Sequence, residues 1–309
     1  MPHRSRLFTI AAVALLLSAC GLGGVETPAP TTQPSIEAPS AEPTPGFTGN
    51  PAPSSGATPA ATSTGMTTVR SYFFLGSFVD NAGLVPVLRE IPKTQAVGAS
   101  AMAELLEGPN DDELGARPAM YTDIPEGTRF LGLTIDNGIA TVNLSREFES
   151  GGGTASAIGR LSQVVYTLTQ FPTVTGVSFQ IDGVPKPVFG GDGTTFDGPV
   201  GREDYTDQLP AIFVDRPAWG GVPGNPARLV GVANVFEATF RAEILDAAGR
   251  TLASSPVMAT CGTGCWGTFD VTMGYAIGEA GWGTLRVFEP SAKDGSATNT
   301  TEYPVWLTP

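Results

Sequence analysis

Histidine is nearly absent from this chain of 309 residues: the sole copy, His3, stands at the extreme N-terminus. Beyond it no Ser-His or Cys-His nucleophile pair can be assembled. An enzyme built from the remainder would have to run on carboxylates, Lys, Tyr or a Ser-Lys pair. Cysteine is scarce as well, with Cys20, Cys261 and Cys265 the 3 present. A structural metal site wants about four His, Cys or acidic ligands, so no metal and no cofactor is expected. Lysine is limited to Lys93, Lys186 and Lys293, and 17 Lys+Arg face 30 Asp+Glu for a net charge of −13. That surface repels nucleic acid and anionic headgroups, which excludes both as expected partners. The N-terminal uncharged stretch, Leu7 to Leu17, is 11 residues long. A membrane-spanning helix needs about 20.

What is present at the N-terminus has the layout of an export signal: Arg4 and Arg6, the short apolar core, then small residues. Its last residues, Leu17-Ser18-Ala19-Cys20, resemble the lipobox of bacterial lipoproteins. The resemblance implies a signal peptide over 1–20, a diacylglycerol on the Cys20 thiol, and cleavage that leaves Cys20 as the acylated N-terminus. The alternative is an ordinary signal with a cysteine at the cut by chance. Loss of Arg4 and Arg6 would bring the net charge to about −15. Contact with the membrane would then run through the acyl chains, at the outer face of the cytoplasmic membrane.

Residues 21–68 form a linker rich in Pro, Thr, Ser and Ala, with 9 prolines between Pro28 and Pro59. Isolated apolar residues in such a composition cannot bury a core, so the stretch is expected to be disordered and biased to polyproline II. Its 44 residues from Val25 to Thr68 would reach about 140 Å if extended, or roughly 40 Å as a flexible coil.

Residues 69–190 read as α+β. VRSYFFL and LVPVLREI are strand candidates, and TQAVGASAMAELLEGP predicts a helix. Thr94 is placed to cap it, Val97, Ala101, Met102 and Leu105 form its apolar face, and Gly108-Pro109 stops it. TRFLGLTI and IATVNLS flank an Asp-Asn-Gly turn and predict a hairpin. In TASAIGRLSQVVYTLTQFP, Ile158, Leu161, Val165 and Leu168 recur on one helical face, and VTGVSFQI then alternates as a strand up to Asp182-Gly183. Two helices on a small mixed sheet is the economical reading. Residues 191–210 are a Gly- and Asp-rich connector, expected to be a loop or hinge. Residues 211–309 offer seven short strand candidates (AIFVDRP, ARLVGVANV, EATFRAEIL, TLASSPVMA, WGTFDVTM, GTLRVFE and EYPVWL) and no long helix, which predicts a β-sandwich. There Cys261 and Cys265 can close a small ring at a hairpin tip in an oxidising compartment, worth only roughly 2 kcal/mol; free thiols are the alternative.

Several of these segments are familiar together. YFF, LVPVLREIP, LLEGP, IPEGTRFLG, DNGIATVNLSREF and QVVYTLTQFPTVTGVSFQIDG resemble the GerMN domain of spore-germination and sporulation lipoproteins. RLVGVANVFEATFRAEILDAAGR, WGTFDVTM and LRVFEPSAKDGS resemble the immunoglobulin-like domain that accompanies it. The resemblance implies extracytoplasmic, non-catalytic modules, the first similar in fold to ring-building motifs of secretion and sporulation assemblies. It carries over no catalytic residue.

Asp111, Asp112, Glu113, Asp192, Asp197, Glu203 and Asp204 are the acids to weigh as a hydrolytic pair. That chemistry needs two carboxylates across a cleft with one pKa raised by burial, whereas these sit among Gly and Pro where water should solvate them. Asp294, Ser296 and Thr298 alternate like calcium ligands, but Asn299 and Val305 stand where an EF-hand needs Gly and an acid, so a turn is expected. Trp219, Trp266 and Trp282 each precede a glycine. They are either an exposed row that stacks on sugars or core residues with room made by the glycine. Glu237 and Glu289 beside strand aromatics read as a solvated face, with partner binding the alternative. The chain is therefore expected to be a lipid-anchored, non-enzymatic protein that binds or scaffolds envelope components, through a protein partner or, alternatively, a wall glycan or small ligand.

Overall fold

The computed structural model describes residues 65–76, 83–189, 194–195 and 198–309. Cys20, the signal stretch, the Pro-rich segment up to 64, Asp192 and Asp197 lie outside them.

The first module opens with β1 (Met66–Leu75), paired antiparallel along its whole length with β2 (Gly83–Pro92). From Ser71 to Leu75 every residue of β1 is buried, because helices cover one face and the second module abuts it as well. Helix α1 (Val97–Glu107) buries Gly98, Ala101, Met102 and Leu105. Its N-cap is Ala96, without a side-chain bond, and the Thr94 hydroxyl instead accepts from the Ala96 amide just outside the helix. The helix ends at Gly108, whose φ of 82° suits a residue without Cβ.

A short helix α2 (Asp111–Leu114) follows, and it corrects one expectation. Glu113 is not solvated but buried, its carboxylate clasping Arg89 at 2.6 and 2.7 Å. The same carboxylate accepts from the Asn110 amide while the Asn110 side chain accepts from the Glu113 amide. This reciprocal cap nucleates the turn and fastens it to β2. Asp111 and Asp112 are exposed, as expected.

Strand β3 (Met120–Tyr121) adds to the other edge of β1. Strands β4 (Phe130–Asp136) and β5 (Ile139–Leu144) form the foreseen hairpin, turned by Asn137 and Gly138 at φ 49° and 84°. Helix α3 (Thr154–Leu168) is the crossover to β6 (Gly176–Ile181), which lies parallel to β5. Strand β7 (Val184–Pro185) caps that sheet, and β8 (Val188–Phe189) pairs with β9 (Thr194–Thr195). The first module is thus mixed α+β, with its strands divided between a β2-β1-β3 sheet and a β4-β5-β6-β7 sheet.

The predicted apolar stripe of α3 is half of its story. Leu161, Val165 and Leu168 are buried, but so are Arg160, Ser162, Gln163 and Thr167 on the remaining faces. Arg160 meets the cost by donating to the carbonyls of Phe148, Ser150 and Gly151 at 2.6–2.9 Å. Gln163 bridges the Asp123 amide and the Tyr72 carbonyl, each at 2.9 Å.

The second module holds seven strands in two facing sheets. Strands β10 (Ile212–Arg216), β11 (Ala227–Ala233) and β14 (Gly267–Met273) make one, in the order β10-β11-β14. Strands β12 (Thr239–Asp246), β13 (Thr251–Met258), β15 (Gly281–Pro290) and β16 (Ala297–Leu307) make the other, in the order β13-β12-β15-β16. Each overlaps one of the seven strand candidates read from the sequence. Phe240 and Phe269 meet edge to face at 5.0 Å.

A Cβ on Gly231 would overlap the Phe213 carbonyl oxygen and the Phe269 ring, so this glycine is what lets β10 and the core close on β11. Gly231→Ala is expected to cost about 3 kcal/mol through backbone displacement. Thermal unfolding followed by circular dichroism should show a midpoint lowered by roughly 6–12 °C.

Candidate functional site

From 198 onward the connector is packed, where the sequence reads as a loop or hinge. Residues Arg202–Gln208 wind into a tight 3₁₀ stretch, and Val200, Tyr205 and Leu209 are buried. That stretch places Arg202 between the modules. Its Nε donates to the Thr169 hydroxyl at 2.9 Å, and one terminal nitrogen donates to the Tyr72 hydroxyl at 2.9 Å and the Tyr166 carbonyl at 3.2 Å. The other lies 3.4 Å from Asp215 on β10. The guanidinium also sits over the Tyr166 ring, 4.7 Å from its centroid.

Asp215 is the hub. Its carboxylate accepts the Tyr72 hydroxyl proton at 2.6 Å and lies 3.6 Å from Arg70 on β1. Burial alone would raise its pKa, but Arg202, Arg70 and the Tyr72 hydrogen bond together hold it below the usual carboxylate range. Burial and the neighbouring Asp215 charge push the Tyr72 phenol up, so it stays a donor. Around these groups the rings of Tyr72, Tyr166 and Phe213 pack with centroids 5.5–6.5 Å apart. A second seam runs beside them: the Trp219 amide donates to the Pro86 carbonyl at 2.8 Å, and Val87 bridges to Trp219.

The junction leaves an open groove of about 750 Å³. Tyr166, Arg202, Glu203 and Thr206 line it from the first module and connector. Phe213, Val230, Val232, Met258, Thr260, Trp266, Thr268 and Asp270 line it from the sandwich. Glu203 and Met258 are exposed, and Asp270 is held by Arg228 through two bonds of 2.8 and 2.6 Å.

The three tryptophans do not form an exposed row, so that alternative does not hold. Trp219 is buried, 7% exposed, in the seam between modules. Trp266 is half-buried on the groove. Trp282 stands on the outer side of β15 against Trp306, edge to face at 5.3 Å. Cys261 and Cys265 are joined, with Cα atoms 5.8 Å apart, in the tip that precedes Trp266. Asp294 accepts from the Ser296 amide and hydroxyl in the β15–β16 turn. Glu289 is no free surface acid: it takes the Phe236 amide and the Asn299 side chain at 2.9 and 2.8 Å, while Glu237 is exposed. Glu203 and Asp204 are exposed, and Asp204 accepts from the Gly201 amide.

Arg202, Asp215, Tyr72, Tyr166 and Arg70 were not singled out from sequence. One signal was available: Asp215 directly follows the apolar run Ile212-Phe213-Val214. A further carboxyl stands apart from the groove. Asp123 is pushed up to about 6, chiefly by burial, against the opposing pull of Ser156 and Arg160. It faces those two groups and the Gly159 backbone rather than a second carboxylate.

Fold and junction define a two-module protein, mixed α+β followed by an immunoglobulin-like sandwich. Residues 71–187 match the family model Germane, described as sporulation and spore germination. Residues 211–296 match Gmad2, described as the immunoglobulin-like domain of bacterial spore germination. No curated protein matches the chain. Among solved structures it is similar to the tandem GerMN domains of the sporulation protein GerM from Bacillus subtilis, at 22% identity and TM-score 0.38, over 46% of this chain and 48% of that one. The chain thus spans about half the length of that relative. A putative lipoprotein from Clostridium perfringens is similar at 22% identity and TM-score 0.32, over 49% of this chain and 98% of that one. The first GerMN domain of GerM alone gives 20% and 0.36, over 45% and 99%.

Opposite pH dependences follow from the two carboxyls. The folded-state pKa of Asp215 is depressed, so its contribution is present above the unfolded value of 3.8 and lost as pH falls through the folded value. Asp215→Asn should cost about 3 kcal/mol near neutrality by leaving two arginines uncompensated. The folded-state pKa of Asp123 is raised, so its contribution is present below 3.8 and lost as pH rises through about 6. Unfolding midpoints measured from pH 4 to 7 should therefore decline less steeply for Asp123→Asn than for the unaltered chain.

Proposed function

We propose that this chain is a lipid-anchored, non-enzymatic envelope protein that binds or scaffolds other components outside the cytoplasmic membrane, in a process related to sporulation or germination. Cys20 would carry the acyl chains, and the Pro-rich stretch would hold the folded modules away from the lipid. The observation that carries the reading is the junction itself. Arg202, Asp215, Tyr72 and Arg70 bind the two modules into one body and spend their polar groups on each other, which suits a rigid binding surface better than a reacting centre. The acids once weighed as a hydrolytic pair are dispersed: Glu113 clasps Arg89, Asp111 and Asp112 lie in α2, and Glu203 alone among the described ones borders the groove.

Trp266 favours a second reading, in which the groove takes a wall glycan by stacking on a sugar face. Cross-linking in living cells, with mass spectrometry of what is captured and Cys20→Ala as the control, separates the two. Recurrent envelope proteins that disappear in the Cys20→Ala strain are the expected result. Capture of wall fragments alone, with quenching of tryptophan emission by the same fragments, would overturn the scaffold reading in favour of the glycan.

A further inference from the structure

Strands β10 and β11 pair Phe213 with Val232, so these side chains, with Val230 two residues along, share one face of the sheet. The opposite face carries the buried Leu229, Gly231 and Ala233 of the sandwich core. Phe213, Val230 and Val232 therefore line the groove from the outer side of the sheet, joined by Trp266, Met258 and, from the first module, Tyr166. Met258 is 72% exposed, and Val230, Val232 and Trp266 are half-buried, so apolar surface is left to water here. The inner charges are already matched in place: Arg228 holds Asp270, and Arg70 and Arg202 meet Asp215. Glu203 stays exposed at the rim. An occupant of this groove needs apolar surface and no charge.

The chain carries such a segment ahead of its own first strand. Phe47 is the one aromatic residue between Phe8 and Tyr72, and no Asp, Glu, Lys or Arg stands between it and Arg70. It opens the stretch Phe47-Thr48-Gly49-Asn50-Pro51-Ala52-Pro53. Pro-rich stretches of this kind suit aromatic-lined grooves, because their extended left-handed helix is favoured before binding. Reach is satisfied as well. Arg70 stands 3.6 Å from Asp215, which borders the groove, and the way back along the strand to Gly65 is roughly 17 Å. The 17 residues from Thr48 to Thr64 span roughly 20–25 Å as a coil. A tether whose reach matches its span holds its end at an effective concentration on the order of millimolar, so even a weak fit is populated.

We propose that the segment Phe47–Pro53 of the same chain occupies the groove, with the Phe47 ring on the apolar patch of Val230, Val232 and Met258 and the prolines against the aromatic rings. The contact is internal to the chain and holds whether the groove finally serves a protein or a glycan. An outside ligand has to displace the segment, so its apparent affinity is reduced by the fraction of chains that are open.

The test uses the full chain in detergent, with the photoreactive aromatic p-benzoylphenylalanine in place of Phe47. Irradiation is expected to give a cross-link within the monomer that joins position 47 to peptides carrying Val230, Val232, Met258 or Trp266. The same group in place of Ala57 should show no preference for those peptides. Shielding of Met258 gives a second readout. Dilute hydrogen peroxide transfers an oxygen to an exposed Met thioether, leaving the sulfoxide and water, and a covering ring slows the attack. Met258 oxidation, followed by mass spectrometry, should run about threefold faster in Phe47→Ser than in the unaltered chain. Position 47 precedes both folded modules, so neither change disturbs a core. Cross-links from position 47 that are absent, as scattered as those from position 57, or formed between two copies would overturn the inference, and so would equal Met258 oxidation in the two chains.

Discussion

The polar contacts between the two modules centre on one largely desolvated carboxylate, that of Asp215. The Asp215 side chain is only 15% exposed and follows the buried Ile212, Phe213 and Val214, so an isolated charge there would be costly. It persists because Arg70 and the Tyr72 hydroxyl from β1 and Arg202 from the connector converge on it. Each of those groups in turn needs Asp215: without it two guanidinium groups would share one half-buried space. The mutual requirement explains why the connector is wound and packed rather than slack. Arg202 can reach Asp215 only if the 3₁₀ stretch holds it over the Tyr166 ring.

A second layer of constraint holds the far end of the sandwich. Glu237, Ala238 and Thr263 adopt left-handed backbone angles, with φ of 53°, 58° and 56°, which residues with a Cβ seldom do. They are kept there by a small net of bonds. The Glu237 amide donates to the Thr263 hydroxyl, the Thr263 amide to the Val235 carbonyl, and the Gly264 amide to the Asn234 side chain. The Cys261–Cys265 bridge closes the same tip. Trp266 leaves this braced tip directly into β14, so its place on the groove is determined at one end by the tip and at the other by the sheet. The groove is thus bounded by two stiff structures, the junction and the tip.

Much of the fold was legible before any coordinates. The seven strands of the sandwich were visible as short candidate segments separated by turn signals, which are local features of the chain. The β4–β5 hairpin announced itself through Asn137-Gly138, and the core stripe of α3 through Leu161, Val165 and Leu168. Less visible were features whose meaning is supplied by a distant partner. Glu113 reads as a surface acid until Arg89 is set beside it, and Trp219 as a candidate platform until β2 covers it. The tryptophans shared a Trp-Gly pattern that had no common structural cause.

By itself, then, the sequence determined the class of each module, the order of strands along the chain, and the charge that any partner must answer. Those depend on periodicity, turn chemistry and composition, which are local or additive. Only the tertiary structure decided which acids are buried and which tryptophan faces the groove. Such properties belong to pairs of segments as far apart as Tyr72 and Asp215, and the desolvation that gives them their energy exists only once the chain has closed around them.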